Sequence, residues 1–214
     1  MERIETFRAL FGACPLLAII RGVEPEDVEA IGDALVEAGI GIIEVPLNSP
    51  RPFDSIARLA RRLSGRALVG AGTVLRVEEV AEVATAGGGI IVSPNTDPAV
   101  IRATVRAGLV SAPGYFTPSE AFIAIEAGAH ALKLFPAEAA PPAVVKAQRA
   151  VLPRALPLIV VGGISPDKMA AYRAAGADGF GLGSSLYVPG RSAGEVADRA
   201  TDFVAALREW ESRA

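Results

Sequence analysis

The feature that most constrains the fold is an internal repeat in which a helical stretch ends at a glycine and an apolar run follows. Five of these glycines lie in Ala-Gly pairs, at residues 38–39, 86–87, 107–108, 127–128 and 175–176, and Gly65 ends a further stretch. Successive glycines lie 20 to 26 residues apart, except for a gap of 48 before the last one. Glycine commonly ends helices because it adopts the left-handed conformation there. A period of this length is too short for most helical repeats and fits a compact strand-loop-helix-loop unit.

Eight apolar runs occupy the strand positions of this repeat. They are almost continuously apolar, which is typical of parallel strands buried on both faces. The predicted strands span residues 16–21, 42–47, 68–74, 90–94, 110–114, 131–136, 158–163 and 179–186. Eight alternating strands and helices predict an α/β protein, a small (β/α)₈ TIM barrel that forms a single domain over residues 1–214.

Two further helices complete the predicted barrel. An extra N-terminal helix is expected near residues 2–11, and a final helix near residues 193–212 carries Trp210 and closes the ring. A doubly wound open sheet is the alternative fold. The number of strands and the absence of an early Gly-x-Gly-x-x-Gly turn argue against that alternative.

Composition limits the possible functions. The formal net charge is −3 at pH 7 and no basic cluster occurs, so nucleic-acid binding is not supported. No apolar run approaches the ~20 residues of a membrane span, and no secretory signal is visible. The single cysteine, Cys14, excludes a disulfide within the chain and fits a reducing compartment, so a cytoplasmic location is expected.

Cys14 and the only histidine, His130, are interpreted as structural. They provide no His/Cys metal site and no cofactor is predicted, although a carboxylate-only Mg²⁺ site stays open.

Lys133 is the most informative single residue. The chain has only three lysines, and the other two, Lys146 and Lys168, fall in helical stretches. In an extended strand Ala131, Lys133 and Phe135 share one face. An ammonium group among apolar neighbours loses hydration, which lowers its pKa, and a partly neutral lysine can attack a carbonyl to form a Schiff base. The alternative is a lysine that reaches water at the strand end or pairs with a carboxylate.

Glu44 lies in an apolar run of the second strand that is much like the run around Lys133. A buried carboxylate is costly unless it is paired or protonated. Glu44 is therefore interpreted either as a general acid/base with a raised pKa or as the partner of Lys133 in a structural ion pair. Both interpretations can hold, because a catalytic pair can be an ion pair at rest.

Other reactive or conformationally special residues collect at the carboxyl ends of the strands, where barrels of this kind carry their active sites. Arginine has a fork that matches two oxygens and suits carboxylate or phosphate recognition, although a salt bridge to a loop is the simpler alternative. Glycines at the ends of the last two strands lie where such barrels bind phosphate, although glycine also marks ordinary turns. The predicted keto-acid contacts are Arg21, Thr73, Pro94 and Phe135, and the predicted phosphate contacts are Gly162, Gly163, Gly183 and Ser184.

Together the predicted site residues imply one reaction. If Lys133 forms a Schiff base with a ketone, Glu44 can move protons during carbinolamine formation and C–C cleavage. Arg21 and Thr73 can hold a carboxylate next to that ketone, and the glycine loops can hold a phosphate farther away. The predicted substrate is a phosphorylated 2-keto acid, and the predicted reaction is a retro-aldol cleavage with the protonated imine as electron sink.

The same residues give the chain a resemblance to the 2-keto-3-deoxy-6-phosphogluconate/galactonate aldolases, a class I aldolase family. The motifs cover nearly the whole chain in order: AIIRG at 18–22, EVPLNSP at 44–50, GAGTVL at 70–75, SPN at 93–95, ALKLFP at 131–136, VGGI at 161–164 and GLGS at 181–184. The resemblance implies a (β/α)₈ barrel that is usually a homotrimer. It also implies Lys133 as the Schiff-base lysine and Glu44 as the general acid/base.

Two specificity positions resemble the galactonate branch of that family. The gluconate branch typically has Thr-Leu-Arg-Thr after the glutamate, and here Asn48 stands where that arginine would contact the carboxylate. The gluconate branch also tends to have threonine before the paired glycines, where this chain has Val161. Loss of that hydroxyl removes one hydrogen bond near the sugar hydroxyls, which can relax or invert selectivity at C4.

Three alternative functions are compatible with parts of the sequence. An isomerase or epimerase on a phosphate-binding barrel commonly needs histidines or an aspartate–lysine array at the strand ends, and His130 lies at the wrong end. A non-catalytic sensor of a phosphorylated sugar acid is opposed by the presence of both Lys133 and Glu44. A 2-dehydro-3-deoxy-6-phosphogluconate or 4-hydroxy-2-oxoglutarate aldolase is the alternative within the same chemistry.

Overall fold

The computed structural model describes residues 2–211, with residues 209–211 described by their backbone alone. Its core is a ring of parallel strands. The strands are β1 Leu16–Ile19, β2 Ile42–Pro46, β3 Leu68–Gly72, β4 Ile90–Val92, β5 Val110–Ala112, β6 Gly114–Tyr115, β7 Leu132–Leu134, β8 Leu158–Val161 and β9 Gly179–Leu182. Their order is β5-β4-β3-β2-β1-β9-β8-β7-β6, so β1 lies between β2 and β9. The predicted barrel is confirmed, and the open doubly wound sheet is not formed.

The fifth predicted strand is divided in the structure. Pro113 separates β5 from β6, because proline has no N–H to donate to a strand ladder. The carbonyl of Pro113 still accepts a 2.9 Å hydrogen bond from the N–H of Lys133. β5 and β6, which end the strand order on either side, are therefore separated in the chain by Pro113 alone, and the ring closes there.

Helices alternate with the strands and cover the outside of the ring. They are α1 Glu2–Ala13, α2 Val28–Glu37, α3 Pro52–Arg62, α4 Val77–Thr85, α5 Pro98–Arg106, α6 Pro118–Glu126, α7 Pro142–Arg149, α8 Pro166–Ala174 and α9 Ala193–Glu211, with a 3₁₀ turn at Ala137–Ala139. The expected N-terminal helix is present as α1. The predicted end at Ser212 and the side chain of Trp210 lie outside the described residues. No helix among the described residues has the length and apolar character that a membrane crossing requires.

Helix starts follow the cap-then-proline order of the sequence. Thr117 and Glu120 form a reciprocal capping box at α6. The Asp97 side chain accepts a 2.8 Å hydrogen bond from the N–H of Ala99 at α5. Ser165 precedes Pro166 at α8 but its hydroxyl does not cap the helix, so only the proline signal applies there.

Apolar side chains fill two separate layers. The outer layer lies between strands and helices and includes Leu132 and Leu134. The inner layer fills the barrel and includes Ile42, Ala131 and, from α1, Phe7. The alternation predicted for the strand around Lys133 is confirmed, since Ala131 faces the barrel interior and its neighbour Leu132 faces the helices.

Candidate active site

Lys133 occupies the centre of β7 and points to the barrel interior. Lys133 is 7% exposed, and together with Ile19 and Val161 it lines the cavity at the carboxyl end of the barrel. The ammonium Nζ lies 4.9 Å from the centroid of the Phe135 ring. Burial lowers the pKa of Lys133, nearby Glu44 opposes that shift, and Arg21 adds to it. The environment therefore favours the neutral, nucleophilic amine.

Glu44 lies on β2, is 1% exposed and is not among the residues that line the cavity. Burial raises the pKa of Glu44 to about 7, although the positive charges of Lys133 and Arg21 pull it down. Its Oε2 atom has no hydrogen-bond partner among the described residues. The carboxyl group is thus poised to exchange a proton near neutral pH. The ion pairs within 4 Å among the described residues do not include Glu44 with Lys133, and the two groups interact through their charges at longer range.

Gly72 makes the space that the Glu44 carboxyl group occupies. A Cβ atom added to Gly72 would lie 1.8 Å from Oε2 of Glu44 and 2.2 Å from its Cδ. Real non-bonded atoms do not approach this closely. The end of β3 must therefore be glycine if Glu44 is to lie where it does.

Arg21 follows β1 at the rim of the cavity rather than ending the strand, which stops at Ile19. One of its terminal nitrogens donates to Oδ1 of Asn48, and the other lies 3.5 Å from Oγ1 of Thr73. Thr73 has a φ of 57°, which is unusual for a residue other than glycine and aims the chain away from β3. The three side chains form one polar cluster beside Lys133.

The glycine loops form the opposite end of the cavity. Gly162 and Gly163 have φ values of 120° and 59°, in the left-handed half of backbone space that favours glycine. Gly183 and Ser184 follow β9 next to them. The whole cavity has a volume of about 610 Å³. It is large enough for a small phosphorylated metabolite.

Ten of the twelve predicted site residues line this one cavity. They are Arg21, Thr73, Pro94, Lys133, Phe135, Val161, Gly162, Gly163, Gly183 and Ser184. Glu44 and Asn48 are not among the lining residues. The buried Glu44 interacts with Lys133 through its charge, and the exposed Asn48 accepts a hydrogen bond from Arg21.

Sequence reasoning missed two charged residues of the cavity. Glu138 lies in the 3₁₀ turn after β7, and Lys168 lies in the first turn of α8. The Nζ of Lys168 donates a 2.8 Å hydrogen bond to the carbonyl of Gly163. The available signals were the closeness of Glu138 to Phe135 in the chain and the position of Lys168 just after the paired glycines.

His130 and Cys14, which were interpreted as structural, are not among the residues that line the cavity. The Nδ1 of His130 accepts a 3.0 Å hydrogen bond from the N–H of Ser111 at the amino end of the barrel, and burial lowers its pKa. Cys14 lies buried before β1. Within residues 2–211 no three His, Cys, Asp or Glu residues cluster in a way that could hold a metal ion.

The cavity of this parallel barrel is lined by a desolvated lysine and glycine-rich loops, and a buried acid lies near the lysine. This is the arrangement of an aldolase. The family model "KDPG and KHG aldolase" matches residues 8–198 of the chain. The protein belongs to the KDPG and KHG aldolase family and is a lyase.

Similar proteins cover almost the whole chain. The "Probable 2-dehydro-3-deoxy-6-phosphogalactonate aldolase" of Rhizobium meliloti (strain 1021) is 50% identical over 90% of this chain and 91% of its own length. The "2-dehydro-3-deoxy-6-phosphogalactonate aldolase" of Escherichia coli (strain K12) is 45% identical over 91% of this chain and 95% of its own. A solved structure described as "Native KDPGal structure" superimposes with a TM-score of 0.91 at 44% identity, covering 92% of this chain and 96% of that one.

Proposed function

We propose that this protein is a class I aldolase that cleaves 2-dehydro-3-deoxy-6-phosphogalactonate to pyruvate and D-glyceraldehyde 3-phosphate. The observation that carries this proposal is Lys133, an almost fully buried amine with a lowered pKa at the base of a cavity. Two relatives at 45% and 50% identity bear the corresponding name.

The reaction begins at the Lys133 amine. The neutral amine adds to the C2 carbonyl of the substrate to form a carbinolamine, and loss of water gives an imine that is protonated on nitrogen. Glu44 supplies and removes the protons of these steps, because its pKa of about 7 allows both forms near neutral pH. No metal or bound cofactor is required by this sequence of steps, because the protonated imine accepts electrons.

Cleavage follows at the C3–C4 bond. Glu44, now ionised, takes the proton of the C4 hydroxyl, the C3–C4 electron pair moves into the imine system, and the aldehyde leaves. The resulting enamine is protonated at C3 and hydrolysed, which releases pyruvate and regenerates the free Lys133 amine. The low exposure of Glu44 protects its proton from exchange with bulk water during these transfers.

The cavity separates the two charged ends of such a substrate. Arg21 and Thr73 bind the carboxylate beside the imine, and the ring of Phe135 with Pro94 forms the apolar wall around the keto acid. Gly162, Gly163, Gly183 and Ser184 bind the phosphate through backbone N–H groups and the serine hydroxyl.

Selectivity at C4 follows from Val161. This residue is buried at the end of β8 and lines the cavity beside Lys133. A valine donates no hydrogen bond to a sugar hydroxyl, which favours the galactonate epimer as predicted from the sequence. Asn48 contributes indirectly, because it holds Arg21 instead of lining the cavity.

We also infer a cytoplasmic homotrimer. Three large apolar side chains at or next to α6, Phe116, Phe122 and Ile123, are exposed in the isolated chain, which supports burial against another subunit. A lone thiol fits the reducing cytoplasm. Light scattering is expected to give three times the 22.0 kDa chain mass. A mass of one chain would refute the trimer.

The test of the proposed activity is a comparison of the two C4 epimers. The purified protein is assayed for release of pyruvate from 2-dehydro-3-deoxy-6-phosphogalactonate and from the gluconate epimer. A higher kcat/KM for the galactonate epimer is expected. Cleavage of the gluconate epimer with equal or higher kcat/KM would refute the substrate assignment, and cleavage of neither epimer would refute the activity.

A further inference from the structure

We propose that Lys168 is a specificity-determining residue that binds the phosphate group of the substrate. This inference rests on the proposed function, because it names how the same cavity would distinguish a phosphorylated sugar acid from an unphosphorylated one. The predicted phosphate contacts are all backbone N–H groups or a hydroxyl, and Lys168 adds a full positive charge to them.

Lys168 lies next to the predicted phosphate contacts. Its side chain lines the cavity at the end formed by Gly162 and Gly163. Its Nζ donates a 2.8 Å hydrogen bond to the carbonyl of Gly163, which fixes the ammonium beside the loop. An ammonium group has three donors, so this contact leaves two for a ligand.

The ammonium group of Lys168 forms no ion pair in the described structure, although its charge helps to lower the pKa of the adjacent Asp167. It is the third residue of α8, where the partial positive charge of a helix N-terminus disfavours a cation. Among residues 2–211 the ion pairs within 4 Å do not include Lys168. A dianion bound at the glycine loop would interact favourably with both the lysine and the helix end.

Glu138 places a negative charge at this end of the cavity, so a phosphate group bound there needs a cation beside it. Its carboxylate packs against the same loop, since a Cβ atom added to Gly162 would lie 2.1 Å from Oε2 of Glu138. Of the charged residues that line the cavity, Glu138 and Lys168 lie against the loop of Gly162 and Gly163, whereas Arg21 contacts Asn48 and Thr73. Arg191 reaches the carbonyl of Ser184 at 3.5 Å but does not line the cavity, so Lys168 is the lining cation that can offset Glu138 for an incoming phosphate.

The experiment compares three variants with the wild-type protein. Lys168→Met removes the charge and keeps the length of the side chain, and Lys168→Arg keeps the charge. Lys146→Met is the matched control, because Lys146 is also an exposed helical lysine and does not line the cavity. Each protein is assayed with the phosphorylated 2-keto-3-deoxy sugar acid and with the same acid lacking phosphate. Binding of inorganic phosphate is measured separately by calorimetry.

The expected result is a fall of about tenfold in the ratio of kcat/KM for the phosphorylated to the unphosphorylated acid in Lys168→Met, the loss typical of one charge-assisted hydrogen bond. The change should lie in KM, inorganic phosphate should bind more weakly, and Lys168→Arg should restore most of the ratio. A ratio in Lys168→Met within twofold of the Lys146→Met value would overturn the proposal, as would an equal loss for both acids.

Failure of the proposed function gives a different result. A wild-type protein that cleaves neither acid would refute the aldolase assignment. The calorimetric comparison would still decide the role of Lys168, since phosphate binding equal in wild type and Lys168→Met would overturn it.

Discussion

Replacing Gly72 by alanine should displace the Glu44 carboxyl group while both Lys133 and Glu44 remain in the sequence. The added Cβ would lie 1.8 Å from Oε2 and 2.3 Å from Oε1 of Glu44. Gly72 ends β3, where it is paired with Pro46 of β2. Because the neighbouring backbone is fixed in the barrel, the flexible partner that must move is the Glu44 side chain.

Displacement of the Glu44 carboxyl group should lower both kcat and the free energy of unfolding. General acid/base catalysis contributes typically about 10²–10⁴-fold, so kcat should fall by at least about 100-fold. Inserting one methyl group into a packed interior costs about 1–3 kcal/mol of unfolding free energy. For a chain of 214 residues this corresponds to a fall in Tm of about 2–12 °C, so the variant should remain folded at 25 °C.

The assay is pyruvate release at saturating substrate, with thermal unfolding followed by circular dichroism. Gly12→Ala is the matched control, since a Cβ at Gly12 in α1 meets no atom within 4 Å and kcat should not change. A Gly72→Ala protein with more than a tenth of the wild-type kcat would refute the reasoning that Glu44 acts from the position seen here.

Three further predictions concern neighbouring residues. Burial raises the pKa of Glu44 from 4.5 to about 7, so the native state binds more protons than the unfolded state between these values and its stability falls as pH rises through them. Between pH 5 and pH 8 the free energy of unfolding of wild type, measured with urea, should therefore fall by about 2–3 kcal/mol relative to that of Glu44→Gln, and parallel pH dependences would contradict the raised pKa. Asn48→Ala should raise KM about fivefold in steady-state assays with kcat less affected, because Arg21 loses the acceptor that orients it, and an unchanged KM would exclude that role. Val161→Thr should shift the ratio of kcat/KM for the two C4 epimers toward the gluconate substrate, and an unchanged ratio would remove the argument for the galactonate branch.

The pattern of apolar runs and helix-ending glycines was sufficient to predict the barrel, because both signals are local. Alternation along one strand likewise predicted that Lys133 faces the interior and is desolvated. The strands were predicted to extend farther at their ends than they do in the structure. The predicted strand 179–186, for example, ends at Leu182, since backbone beyond the barrel rim has no neighbouring strand to pair with.

Interactions between separate loops could not be predicted from local pattern. Asn48 was interpreted as a missing carboxylate contact, and the structure shows that it accepts a hydrogen bond from Arg21, 27 residues away in the chain. Lys168 was assigned only to a helix, and its place at the cavity depends on how α8 follows the paired glycines. Both positions are set by tertiary packing.

The most direct test of the central claim is reduction with borohydride in the presence of pyruvate, followed by peptide mass mapping. A Schiff-base mechanism at Lys133 predicts a reduced pyruvyl adduct on the peptide that contains this residue, and its absence from a folded Lys133→Ala protein. A wild-type protein that forms no adduct, or forms it at Lys146 or Lys168 instead, would contradict the mechanism.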